Sequence, residues 1–332
     1  MGAFDTGTAS LGAHPVVALN DLQRGRRVRI AARGACVLGI EISHDGEPCR
    51  LTDGHRDAHE LATRAGSRFA LMAPFANRIA DARYVFDGVM HDLAPGMPAP
   101  RGFRHGFVRD TEFSVVERHA DAHAASVTFA TAIEPDMHPG YPFALALSVR
   151  YTLDADGLTL TISMRNTGAV AAPCFAGWHP YFRLGDTPLE RWELQIPAAS
   201  VIRTDADSIP LDGPAAPVPL AALPGLDFRQ PRVIGAQQLD HAFADLQHDA
   251  DGRARTRLRD PHSGLGLAVW QESGVLLAFT ADTVGRDARK SIALEPMEAW
   301  ANAFNRPDCA EAIRLEAGAE RIFRCGVEIE SP

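Results

Sequence analysis

Leu145-Ala146-Leu147-Ser148-Val149-Arg150-Tyr151-Thr152-Leu153 is followed, after Asp154-Ala155-Asp156-Gly157, by Leu158-Thr159-Leu160-Thr161-Ile162-Ser163-Met164. Apolar residues occupy every second position of both runs, at Leu145, Leu147, Val149 and Tyr151, then at Leu158, Leu160, Ile162 and Met164. A period of two buries one face of a strand and wets the other. Asp156-Gly157 supplies hairpin chemistry between them, so the two strands are expected to run antiparallel.

The same period returns along the chain, at Val28, Ile30 and Ala32, at Tyr84 and Phe86, at Leu265, Leu267 and Val269, and at Val275, Leu277 and Phe279. Asp87-Gly88 follows the second of these runs, and Ser273-Gly274 separates the last two. No long amphipathic helix competes, and residues 61–70 form the one short helical candidate. Many strands joined by tight turns predict an all-β fold of stacked antiparallel sheets or a barrel. The stretch 208–224 is dense in proline and alanine, which excludes a regular central strand. It reads as an ordered surface connection rather than a domain linker, because motifs lie on both sides of it.

With 332 residues the chain is long enough for one large core, and a single domain over 1–332 is expected, with 1–20 as a peripheral N-terminal segment. Hydrophobic residues make up 46% and charged residues 23%, the balance of an ordinary globular protein. A formal net charge of −9 argues against nucleic acid or an anionic membrane as partner, since both require a basic footprint. A small neutral substrate fits better. The five cysteines, Cys36, Cys49, Cys174, Cys309 and Cys325, are odd in number and scattered, without the pairing of a zinc site or a redox dithiol. A reducing compartment follows, with Cys174 read as a small buried hydrophobe rather than a nucleophile. Residues 1–12 lack the basic start and apolar run of a secretory signal, and no stretch is long enough to span a bilayer. The expected location is cytoplasmic. Without a heptad pattern or a long unpaired apolar strand, a monomer or weak homodimer is expected.

Phe175-Ala176-Gly177-Trp178-His179-Pro180-Tyr181-Phe182 sets an imidazole between a tryptophan and a tyrosine. Such a group can pass a proton near neutral pH to a sugar held between aromatic walls. Asn77-Arg78-Ile79 and Arg104-His105-Gly106 come earlier, and Leu294-Glu295-Pro296-Met297 with Asn302-Ala303-Phe304-Asn305 later. Taken in order over 75–305, these motifs resemble the aldose 1-epimerase (galactose mutarotase) family. The resemblance implies a large twisted antiparallel β-sandwich, the galactose mutarotase-like supersandwich, with few short helices and a sugar cleft on one face. It also implies an isomerase that interconverts the α and β anomers of a free aldose with neither cofactor nor metal.

The chemistry requires a proton to leave the C1 hydroxyl while another reaches the ring oxygen. By resemblance, Glu295 is the base, His179 the acid and His105 a supporting catalytic residue at the ring oxygen. Arg78 and Asn77, together with Asp240 in Leu239-Asp240-His241-Ala242-Phe243, match sugar-binding positions. Read from the residues alone, Glu295 ends an apolar run, Ile292-Ala293-Leu294, that would carry a carboxylate into a desolvated place and raise its pKa. Its bland reading is an exposed strand-end glutamate, and Glu298 is the nearby rival. Trp178 either stacks on the pyranose or belongs to the core. Gly106 after His105 allows a tight turn beside a ligand. Departures from the family are Pro180, where several members carry serine or threonine, and a Glu295-to-Asn305 loop one residue longer. A further departure is Pro95-Gly96-Met97-Pro98-Ala99-Pro100, in place of an asparagine-rich loop.

Other signals fail. His55 and His59 have the wrong order for a His-Glu-x-x-His zinc motif, and there is no phosphate loop, dinucleotide fingerprint or Gly-x-Ser-x-Gly. Two alternatives remain open from sequence. Arg101, Arg104 and Arg109 near His105 keep a phosphorylated or sulfonated hexose possible as substrate, and a non-catalytic carbohydrate-binding module would retain the cleft without the chemistry.

Overall fold

The computed structural model describes residues 2–99 and 101–330, so Pro100 of the proline-rich loop and the extreme ends of the 1–332 span lie outside the described residues. The two alternating runs form the strands Leu145–Asp154 and Gly157–Asn166, paired antiparallel from Leu145 opposite Asn166 to Leu153 opposite Leu158. Their even positions and odd positions alternate between buried and accessible, as the period predicts. The turn between them is held by Asp154, whose Oδ1 accepts from the Asp156 and Gly157 amides at 2.9 and 3.1 Å.

These strands sit within a nine-stranded antiparallel sheet, where Gly157–Asn166 also pairs with the long strand Glu320–Glu330. An eight-stranded sheet stacks against it and carries the cleft. Five of its strands, in spatial order, are Asp240–Leu246, Val275–Phe279, Ile292–Met297, Gly177–His179 and, at the edge, Ala70–Met72. A five-stranded meander over Phe4–Leu11, His14–Asp21, Arg26–Ala31, Cys36–His44 and Glu47–Arg50 packs on the nine-stranded sheet. One continuous cluster of buried apolar side chains runs through all three layers.

The N-terminal segment differs from the peripheral role expected for 1–20. Phe4–Leu11 and His14–Asp21 are paired strands, and Val16, Val17 and Leu19 are buried in the core. The run Val16-Val17-Ala18-Leu19 is continuously apolar, so it carries no alternation signal although it is buried on both faces. The helix is also shorter and earlier than 61–70. It spans Ala58–Thr63, capped by Asp57, whose Oδ1 accepts from the Glu60 amide at 2.9 Å. Arg64, Ser67 and Phe69 all take positive φ values, which ends the helix and turns Arg64 and Ser67 toward the cleft. The two α-helices of the described residues, Ala58–Thr63 and Ala310–Ile313, are six and four residues long.

The proline-rich 208–224 stretch contributes only the edge strand Pro217–Pro219 and short 3-10 turns, a placement proline tolerates because an edge leaves its missing N–H unneeded. Cys36, Cys174, Cys309 and Cys325 are buried and unpaired, and burial pushes the Cys174 thiol up to about 12, where it is not a nucleophile. No helix of the described residues is long and apolar enough to cross a membrane.

Gly157 is the tightest point of the founding hairpin, since a Cβ there would stand 2.1 Å from the Val327 carbonyl oxygen. Gly157→Ala is therefore expected to force the Gly157–Asn166 and Glu320–Glu330 strands apart and to cost roughly 1–3 kcal/mol. Chemical denaturation would check the loss; an unchanged midpoint would mean that the hairpin does not constrain the nine-stranded sheet.

Candidate active site

Glu295 lies at the centre of Ile292–Met297, a strand buried at every position and paired on both sides. On one side Leu277 is its partner; on the other, Gly177 pairs with Met297 and Tyr181 with Ala293. That register sets His179 directly across from Glu295. Pro180 interrupts the ladder between them, yet its carbonyl still accepts from the Leu294 amide at 3.2 Å. The result is a contact of 3.2 Å between His179 Nε2 and Glu295 Oε1, with side chains 7% and 3% exposed.

Burial sets the electrostatics of this pair. It raises the Glu295 carboxyl well above its ordinary range, and the charge of Asp240 adds to that, while Arg78 opposes it. Burial also lowers the His179 imidazole, to about 3, with Arg109, Arg68 and Arg104 acting in the same direction. His105 is pushed well below its ordinary value, again chiefly by burial and then by the neighbouring His179. Burial thus favours a neutral carboxyl beside a neutral imidazole, with one labile proton between the two.

His105 stands edge-on to His179 with ring centroids 5.3 Å apart. Its backbone has a φ of 62°, its amide donates to the Asn77 carbonyl at 2.8 Å, and its Nδ1 faces Met72 Sδ at 2.9 Å. Gly106 follows so closely on the chain at Ala73 that a Cβ would meet the Ala73 carbonyl oxygen at 2.0 Å. Arg78 pairs with Arg104 in a two-residue ribbon and donates to Asn77 Oδ1 at 3.0 Å, while its Nε is buried with no partner. Asn302 and Asn305 act behind this ribbon: the Asn302 amide donates to the Arg78 carbonyl at 2.6 Å, and its Oδ1 accepts from Ala80. Asp240 is exposed at the start of its strand, opposite Phe279.

Glu295, His179, His105, Arg78, Asn77 and Asp240 thus line one cleft of about 400 Å³, within the range of about 300–1,000 Å³ usual for small-molecule sites. Trp178 does not reach it. Neighbouring residues on a strand face opposite ways, and with His179 turned to the cleft Trp178 is fully buried in the core, edge-on to Phe69 at 5.6 Å. The aromatic wall comes from Tyr181, stacked on His179 at 5.1 Å and 14°, and from Phe279. Glu298 is directed elsewhere, since its Oε2 accepts from the Ala176 amide at 2.7 Å and its Oε1 faces Arg321.

Sequence reading missed Phe279, Ser67, Arg64 and the rim residues Thr283, Val284 and Gly285. In the sequence Phe279 reads as an alternating position, and its spacing of two from Leu277 is the signal that puts both on one face of the strand. Among the described residues no group of three or more His, Cys, Asp or Glu side chains is arranged to hold a metal ion.

The family model for aldose 1-epimerase matches residues 16–326, and the chain belongs to that family. It is 28% identical over 287 residues to the uncharacterized Escherichia coli protein YihR, covering 85% of this chain and 84% of the relative. It is also 28% identical over 293 residues to the Escherichia coli aldose 1-epimerase, covering 83% and 81%. Among solved structures, galactose 1-epimerase from Lactobacillus acidophilus superposes with a TM-score of 0.81 at 17% identity, covering 99% of both chains.

The buried pair makes stability depend on pH in a directed way. Between about 4.5 and 6.5 the folded Glu295 keeps a proton that the unfolded chain has lost, while the folded His179 refuses one that the unfolded chain has taken. The two contributions oppose each other over that window, leaving the slope from the other shifted groups, His105 and His55 among them. In Glu295→Gln the opposing carboxyl is gone, so stability should rise with pH more steeply than in wild type, by up to one proton or about 1.4 kcal/mol per pH unit. Denaturant midpoints across the window would measure this; parallel slopes would mean that the folded carboxyl titrates like a solvated one.

Proposed function

We propose that the protein is a cofactor-independent mutarotase for a free aldose, with Glu295 as base and His179 as acid. The observation that carries the reading is the desolvated Glu295–His179 contact on the floor of the cleft. A sugar entering there would insert its C1 hydroxyl toward Glu295 and its ring oxygen toward His179.

Productive binding needs the shared proton on the imidazole and the carboxylate free. This form is reached from the neutral pair by moving one proton along the existing contact, without exchange with solvent. Glu295 then takes the C1 hydroxyl proton, His179 gives its proton to the ring oxygen, and the bond between C1 and the ring oxygen breaks. What remains is an open aldehyde, a neutral carboxyl and a neutral imidazole, the protonation that burial favours. Rotation about the C1–C2 bond and reversal of both transfers closes the ring as the other anomer. Arg78 and Asn77 on one wall and Asp240 on another would hold hydroxyls, and a carboxylate accepting two of them rejects a sugar that lacks one. His105, held neutral, can share the ring oxygen as a hydrogen-bond partner without adding charge.

Exchange NMR between anomers should show acceleration by catalytic amounts of protein. Glu295→Gln and His179→Asn are each expected to lower kcat by roughly 10²–10⁴-fold. A Glu295→Gln rate equal to wild type would remove the proposed base.

A further inference from the structure

The strand that carries the base and the segment that carries the acid make no ladder pair where the two side chains meet. Their pairs are Gly177 with Met297 and Tyr181 with Ala293, and Pro180 has no N–H to offer between them. The other edge of segment 179–181 is gripped instead. There the Phe69 amide donates to the His179 carbonyl at 2.9 Å, and the Asp53 amide donates to the Tyr181 carbonyl at 3.0 Å. Arg68, the neighbour of Phe69, donates through Nε to Asp53 Oδ2 at 3.3 Å, so one ion pair ties together the two stretches that make this grip. Asp53 accepts in addition from Arg286 Nη1 at 2.6 Å and from Ser291 Oγ at 3.1 Å.

The remaining donors of Arg68 are spent on fixing it, Nη1 on the Ala65 carbonyl at 3.2 Å and Nη2 on the Arg286 carbonyl at 3.4 Å. Its guanidinium carbon stands 5.3 Å from the centre of the Tyr181 ring, and that ring stacks on His179. Stability alone does not call for a guanidinium in such a place. Replacing a buried ion pair by apolar side chains of similar volume is often neutral or stabilising, so what these contacts add is a fixed position. Charge is the lesser part. Asp53 and Glu60 offset Arg68 and Arg286, although Arg68 does act, after burial and Arg109, to lower the His179 imidazole. Neither Arg68 nor Asp53 lines the cleft.

We propose that Arg68, locked by Asp53, is a positioning residue for the acid: it holds the Tyr181 ring against His179 and so keeps the imidazole Nε2 directed at Glu295 Oε1. The step it serves is proton transfer along that contact, where a displacement of about 1 Å can cost roughly 100-fold in rate. The proposal rests on the mutarotase reading for the roles of His179 and Glu295.

Arg68→Met puts an unbranched apolar side chain in place of the guanidinium and leaves Asp53 its contacts with Arg286 and Ser291. It is expected to lower kcat for anomer exchange by about tenfold or more while KM stays within about twofold, since Arg68 does not line the cleft. NMR supplies a second readout: the His179 ring protons, displaced by the ring current of Tyr181 in the wild type, should shift in the variant. Arg68→Lys keeps the pair with Asp53 and should recover part of both effects. Wild-type kcat in Arg68→Met would overturn the proposal, as would a fall in kcat with the His179 resonances unmoved, or a rise in KM at constant kcat. Should Arg68→Met not fold, Asp53→Asn takes its place; loosening the grip on Arg68 should lower kcat about threefold with the same resonance shift, and wild-type kcat would overturn the proposal. If the wild-type protein exchanges no anomers, the mutarotase reading fails and the resonances alone judge Arg68: a shift in the variant sustains its hold on His179, and unmoved resonances overturn it.

Discussion

The placement of a carboxyl and an imidazole side by side, out of water, on neighbouring strands is the constraint around which the molecule is organised. Either charge alone would be expensive in that position. Together they can stay neutral by sharing a proton, and they can become an ion pair without gaining or losing one. A contact of this kind requires a fixed register, since a slip of one residue would send Glu295 to the opposite face of the sheet. The register is fixed by pairing on both edges of Ile292–Met297 and by Glu298, which clamps Ala176 through backbone and side chain together.

Support for the imidazole extends further, through side chains with no place on the cleft surface. Arg68, 1% exposed, lies over the Tyr181 ring at 5.3 Å, and Tyr181 stacks on His179. Asp53 holds Arg68 at 3.3 Å and Arg286 at 2.6 Å, and Arg286 also binds Glu60 at 2.7 Å in the capped helix. Arg286 follows the rim residues Thr283, Val284 and Gly285, so one buried carboxylate ties the cleft rim, the helix and the stack behind His179 together. Removing Asp53 would strand a fully buried guanidinium, which makes the network interdependent rather than additive.

How much of this was legible in the sequence depends on whether the information is local. Alternation in 145–164 reveals paired strands because one face of each is wet, whereas Val16-Val17-Ala18-Leu19, buried on both faces, gives no such contrast and reads as peripheral. The short motifs marked Glu295, His179, His105 and Arg78, and these do meet in one cleft. Nothing in 175–182 could decide which of Trp178 and His179 faces the cleft, because the choice depends on pairing with a strand more than a hundred residues away. Phe279 and Ser67 were silent for the same reason: their roles arise from register and from a run of left-handed residues after Thr63, not from residue type.

Net charge is a poor guide to such a cleft for a related reason. The −9 total argued for a neutral ligand, yet most of the acidic residues are far from the site and many are paired with arginines there, as in the Arg255 cluster with Asp249, Asp251 and Glu328. Charges separated by more than a Debye length of roughly 8–10 Å are screened from one another by salt, so a distant acidic surface does not neutralise a local basic one. Inside a cleft with low-dielectric walls the few charges present are felt more strongly than their number suggests. There Arg109, Arg68 and Arg104 act together with burial to hold the His179 imidazole down, so the charges that set the proton position are local ones that the net total does not report.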